Sequence, residues 1–135
     1  MESKRLMSLA LLVGFLTISV PMFAHHGATA YVNKIVVMKD VTVTKFIWAN
    51  PHVIVLFDMK DDNGNVLHWA AEAGSPSAVS PVGWTRNSVQ FGDVITVYLY
   101  PAKSGNPVGR LNKIVLADGK TLRDTQLGGD TSKEK

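Results

Sequence analysis

Residues 52–73 read HVIVLFDMKDDNGNVLHWAAEA, two strand-like runs about one turn, and the register between them decides the fold. Asp61-Asp62-Asn63-Gly64-Asn65 is a cluster of turn-forming side chains between runs rich in β-branched and aromatic residues. A three-residue loop, Asp62-Asn63-Gly64 with Gly64 in the left-handed region, sets Asp61 opposite Asn65. Met59 then faces Leu67, Asp58 faces His68, Phe57 faces Trp69 and Val55 faces Ala71. One face of this hairpin is Val53, Val55, Phe57, Met59, Leu67, Trp69 and Ala71, all apolar. The other carries His52, Asp58, His68 and Glu72, with Ile54, Leu56 and Ala70 among them. A two-residue Asn63-Gly64 loop would slip one strand by a residue and mix the faces. The apolar pattern therefore predicts the three-residue loop.

Outward from the hairpin, more short strands follow. Residues 36–48 precede it, with Val41-Thr42-Val43-Thr44 alternating at period two. Asn50-Pro51 separates this run from the next, because the residue before proline is pushed out of helical geometry. Gly92-Asp93 opens a fourth strand running to residue 100, a polar loop fills 101–107, and a fifth strand covers 108–116 before the Asp118-Gly119 turn. Between the third and fourth strands, Ser75-Pro76 forms a helix start, serine as cap and proline in the first turn. Pro81 and Gly83 limit that helix to a turn or two, and Thr85 is placed to cap a further turn through Val89. Three strands, a short helical connection and two strands is the order of an oligonucleotide/oligosaccharide-binding (OB) barrel. The expected fold is thus mainly β, a small five-stranded OB-like Greek-key barrel with a short helical connection between strands 3 and 4. A β-sandwich would need more strands.

The N-terminus has a different character. Lys4 and Arg5 precede a largely apolar run over residues 6–20, Pro21 ends it, and Ala24 is a small residue suited to signal peptidase. A spanning helix needs about 20 apolar residues, so the segment reads as a cleavable signal peptide. The expected organisation is a signal peptide over 1–24, one β-barrel domain over 25–127 and a disordered Gly-, Ser- and Lys-containing tail over 128–135. The protein is expected to be periplasmic or secreted, with no stable membrane anchor after cleavage. The leader carries one net positive charge of the chain's +3. The remainder has no basic block, which argues against a nucleic-acid partner. There is no cysteine, so the domain relies on packing without disulfides, and thiol catalysis is excluded.

Four motifs stand out: Ala24-His25-His26, Asn50-Pro51-His52, Trp69 to Glu72 followed by Gly74-Ser75-Pro76, and Gly83-Trp84-Thr85-Arg86. In this combination the chain resembles a family of small exported bacterial proteins of unknown function. The resemblance implies an extracytoplasmic location and a compact β-rich domain, and it brings no activity. Pro81, within the connecting helix, departs from the family's pattern.

The histidines are the residues best suited to specific chemistry. Cleavage after Ala24 would leave His25 with both an α-amino nitrogen and an imidazole. Those two nitrogens chelate a metal, and a second imidazole, from His26 or His52, makes a nitrogen-rich set suited to Cu(II). Glu72 lies diagonal to His52 in the hairpin register, placed to orient that ring or to ligate directly. Copper is thus the expected cofactor, held by His25, His26, His52 and Glu72. The plainer alternative leaves His25-His26 as a bare chain end. His68 faces Asp58 and reads as a cross-strand structural pair.

A second reading is a metal-independent envelope module that binds a glycan, a peptide or a partner protein. Trp84, Arg86, Tyr98 and Tyr100 would form its ligand-binding surface, with the alternative that Trp84 folds back over the barrel as a plug. No Gly-x-Ser-x-Gly elbow, phosphate loop or His-Glu-x-x-His occurs, and no catalytic residue is assigned.

Overall fold

A computed structural model describes residues 28–124. The expected leader, His25, His26 and the expected tail lie outside the described residues. The elements are β1 (Val36–Ile47), β2 (Ile54–Lys60), β3 (Val66–Glu72), a single-turn helix α1 (Pro76–Val79), β4 (Val94–Pro101), β5 (Val108–Val115) and β6 (Thr121–Arg123). Short 3-10 turns occupy Ala28–Ala30 and Ser80–Val82.

The β2–β3 hairpin has the register the sequence predicts: Asp58 opposite His68, Phe57 opposite Trp69, Val55 opposite Ala71. Gly64 takes φ 81°, and the Asp61 amide donates to the Asn65 carbonyl at 2.9 Å. The Asp61 carboxylate accepts from the Asn63 and Asn65 amides, closing the turn. Val53, Val55, Phe57 and Ala71 on the apolar face are fully buried. Burial fades toward the turn, where Met59 and Trp69 are half-buried and Leu67 is exposed, because the hairpin tip runs past the end of the barrel.

The long strand β1 serves two neighbours. Its first half pairs with β4 and its second half with β2. Two irregularities bend it, one between Met38 and Val41 and one between Val43 and Lys45. Asp40 sits in the first with φ 54°, a left-handed conformation that aspartate tolerates better than most side chains. Such bulges sharpen bend and twist, and they let one strand pass from one side of the barrel to the other.

Closure comes from a parallel pairing of β3 with β5, in which Ala70, Ala71 and Glu72 meet Val108, Gly109 and Arg110. The cyclic order β1-β2-β3-β5-β4 is that of the OB barrel. The expected five strands and intervening short helix are present. The structure adds β6, beyond the Asp118-Gly119 turn, which pairs with β5. The barrel interior is filled by Val41, Val43, Phe57, Val97, Leu99, Leu111 and Ile114.

The β3–β4 connection caps one end. The Ser75 hydroxyl accepts from the Ala78 amide as the sequence predicts. The chain turns at Gly83, φ 100°, into Trp84. Residues 85–88 form a hydrogen-bonded turn, in which the Thr85 hydroxyl accepts from the Asn87 amide, so the expected Thr85 cap is realised without a second helix.

Candidate functional site

His52 follows the cis Asn50–Pro51 peptide at the entry to β2, and Glu72 ends β3. The backbone brings them together through Val53, whose amide donates to Gly74 and whose carbonyl accepts from Ala73. His52 Nδ1–H donates to the Ala73 carbonyl oxygen at 3.0 Å. A carbonyl can only accept, so this bond fixes the proton on Nδ1 and turns Nε2 toward Glu72, whose Oε1 lies 3.2 Å away. Two chemistries satisfy that contact. Either Nε2 carries a second proton and donates to the carboxylate, or its lone pair and the carboxylate share a cation. Backbone orientation of the distal ring nitrogen is the arrangement metal-ligating histidines use. Two donors each about 2.1 Å from one ion and 3.2 Å apart subtend roughly 100° at it, an ordinary angle between neighbouring ligands. Both side chains are 27 % exposed, so a solvated ion has access.

The segment leading into β1 arrives at the same side. Lys103 donates to the Ala30 carbonyl, Val32 donates to Pro101, and Tyr31 bridges to Ala102. Burial, and then the Glu72 carboxylate, raise the Tyr31 phenol above its ordinary 10.0, while the Arg110 guanidinium opposes the shift. Arg110 is the partner of Glu72 across the closing seam. His52, Glu72, Tyr31 and Arg110 therefore gather where β3 meets β5. Among the described residues, no group of three or more His, Cys, Asp or Glu side chains converges on a common point, so His52 and Glu72 offer two donors.

The remaining candidates divide. His68 Nδ1 meets Asp58 Oδ1 at 2.6 Å with the ring 80 % exposed, the cross-strand pair expected. Trp84 is 1 % exposed; its ring stacks near Phe46 and its Nε1–H donates to the Arg123 carbonyl. A ring so enclosed has no face for a ligand, and its place in the expected binding surface is corrected: Trp84 is the plug. Arg86 is exposed in the turn beside it. Tyr98 and Tyr100 are half-buried on the outer face of β4.

The sequence reading missed Tyr31, Arg110 and Lys113. Lys113 Nζ lies 4.5 Å from the centroid of the Tyr98 ring. Arg110 enters through the parallel pairing of β3 with β5, strands distant in sequence, and Lys113 through a register shift between the neighbouring strands β4 and β5, neither of which hydrophobic alternation reveals. The spacing of Leu111 and Ile114, three rather than two, is the trace a bulge leaves in the sequence.

In comparisons with known proteins, the profile of a family of unknown function, DUF6152, matches residues 13–112. No curated protein and no solved structure matches the chain.

Proposed function

We propose, from the premise that this chain belongs to DUF6152, a family of unknown function, that it is an exported small β-barrel protein that binds copper at its processed N-terminus. Cleavage after Ala24 gives His25 a free amine beside its imidazole, and His26 a neighbouring ring. His52 and Glu72 supply the remaining donors. The observation that carries the reading is the His52 ring, held through Nδ1 by the Ala73 carbonyl with Nε2 turned to Glu72. The route of the chain supports it. His26 precedes Tyr31 by five residues, a span of up to about 17 Å, and Tyr31 is fastened close enough to Glu72 to feel its charge. Nitrogen-rich sets of this kind favour Cu(II) over harder cations.

The test begins with the intact mass of the protein recovered from the envelope, which reports the cleavage site and any retained metal. Cu(II) is then titrated into the processed protein, into a version extended by one N-terminal alanine, and into His52→Ala. Weaker binding by both altered proteins is expected. Equal affinity across all three, or a first residue beyond His26, would overturn the reading.

A further inference from the structure

We propose that the outer face of β4 and β5 binds an extended acidic saccharide chain, through two tyrosines that each face a cation in the strand register, Tyr98 with Lys113 and Tyr100 with Arg110. This does not rest on the metal reading.

The couples are created by a bulge. In β4 the alternation is regular: Ile95, Val97 and Leu99 are buried, while Thr96, Tyr98 and Tyr100 face outward and are half-covered. In β5 a period of two starting from Arg110 would turn Lys113 into the core. The register instead shifts between Tyr98 and Leu99, whose partners are Lys113 and Leu111, leaving Asn112 as the extra residue. Leu111 and Ile114 both stay buried, and Arg110 and Lys113 both face outward. Each cation thus lies opposite a tyrosine: Lys113 pairs with Tyr98 and Arg110 with Tyr100. Bulges re-aim side chains in this way. The Lys113 ammonium lies over the Tyr98 ring, 4.5 Å from its centroid, where the ring's electron-rich face holds it.

The shape and chemistry select the ligand. Small molecules take concave sites, whereas this surface is the outside of a barrel wall. Its two couples are two residues apart along β4, roughly 7 Å, which suits a polymer with a repeating unit. Tyrosine faces stack against the C–H faces of pyranose rings, and ammonium and guanidinium groups pair with ring carboxylates, guanidinium in bidentate fashion. An extended peptide would be expected to add to a sheet edge, but β4 is flanked by β1 and β5, and β5 by β4 with β3 and β6.

The experiment titrates the purified protein with a uronate hexamer and with a neutral glucan hexamer, following backbone amide shifts. The uronate is expected to move resonances of residues 96–100 and 110–113, and the neutral chain to bind at least tenfold more weakly. Lys113→Gln and Tyr98→Ala should each weaken uronate binding about tenfold, the order expected for one charge-assisted contact. Tyr98→Phe should retain it, because the ring remains. Lys60→Gln, at the far end of the hairpin, should leave it unchanged. The absence of uronate shifts, equal binding of the neutral chain, or equal loss in Lys60→Gln would overturn the proposal. Binding abolished by a chelator would overturn it too, since the carboxylate would then be held by metal and not by this face.

Discussion

The indole N–H of Trp84 donates to the carbonyl oxygen of Arg123 at 2.9 Å, across 39 residues of sequence. This single bond ties the β3–β4 connection to β6, the strand outside the five of the barrel. Leu122 of β6 is fully buried, and its Cδ2 would lie 3.8 Å from a methyl group placed on Gly83. The plug and the added strand are therefore one packing unit.

Replacing Trp84 separates its two roles. Trp84→Phe keeps an aromatic ring but leaves the Arg123 carbonyl without its donor, at an expected cost of about 1–3 kcal/mol. Trp84→Ala also leaves a large void under the connection, and the cost rises to about 3–5 kcal/mol. Urea unfolding curves measure both, and equal losses would mean that the hydrogen bond contributes nothing.

Gly109 admits no side chain. A methyl group there would lie 2.6 Å from Leu99 Cδ1 and 2.9 Å from the Tyr100 carbonyl oxygen. The leucine can rotate but the backbone oxygen cannot, and Gly109 is the middle residue of the closing seam. Gly109→Ala should destabilise the barrel by about 1–3 kcal/mol through overpacking. A variant as stable as the parent would show that the seam shifts easily.

The two histidine–carboxylate pairs should respond differently to copper. His52 is oriented by the Ala73 carbonyl and sits beside Glu72, whereas His68 and Asp58 form an exposed cross-strand pair. Glu72→Gln and His52→Ala should weaken Cu(II) binding by about 10–100-fold, and His68→Ala should not change it. Calorimetric titration of the three variants decides the matter, and a loss confined to His68→Ala would reassign the site.

Tyr31 makes an alkaline prediction. Its phenol is raised above 10.0 in the folded protein by burial and by Glu72. As pH rises past 10.0 the unfolded chain gives up this proton while the folded chain keeps it, so unfolding is favoured. The contribution is complete below 10.0 and is lost as pH climbs through the raised value. Tyr31→Phe should therefore lose less stability than the parent between neutral pH and the region above 10.0. Parallel declines in urea midpoint would show that Tyr31 does not titrate differently on folding.

The β2–β3 hairpin was legible because burial of one face makes alternation specify register, and Asp61 with Gly64 specifies the turn. The short helix was legible through Ser75-Pro76. The sixth strand was not: Thr121–Arg123 is three residues long, too short for alternation to register. Trp84 carried no sign of its burial, since loop tryptophans occur both as plugs and as platforms, and only its distance to Arg123 separates them. At the candidate site, the His52–Glu72 proximity followed from hairpin geometry. Arg110 did not, because a parallel partner is set by the three-dimensional closure of the barrel and no local turn encodes it. Lys113 was hidden by the Asn112 bulge, which reverses the expected facing of every residue after it.

The seam between β3 and β5 spans three residue pairs, the shortest join in the barrel wall. Glu72 belongs to one lip and Arg110 to the other, and the Tyr31 phenol feels the charge of both. A barrel held this way opens first along its briefest join, and amide exchange there reports local opening before global unfolding. Any ligand that grips both lips acts as a fastener, raising protection at Ala70–Glu72 and Val108–Arg110 as the ratio of its free concentration to its Kd rises. Exchange rates at those six amides thus provide a ligand-agnostic assay: candidate ions and saccharides can be ranked by how firmly each keeps the barrel shut.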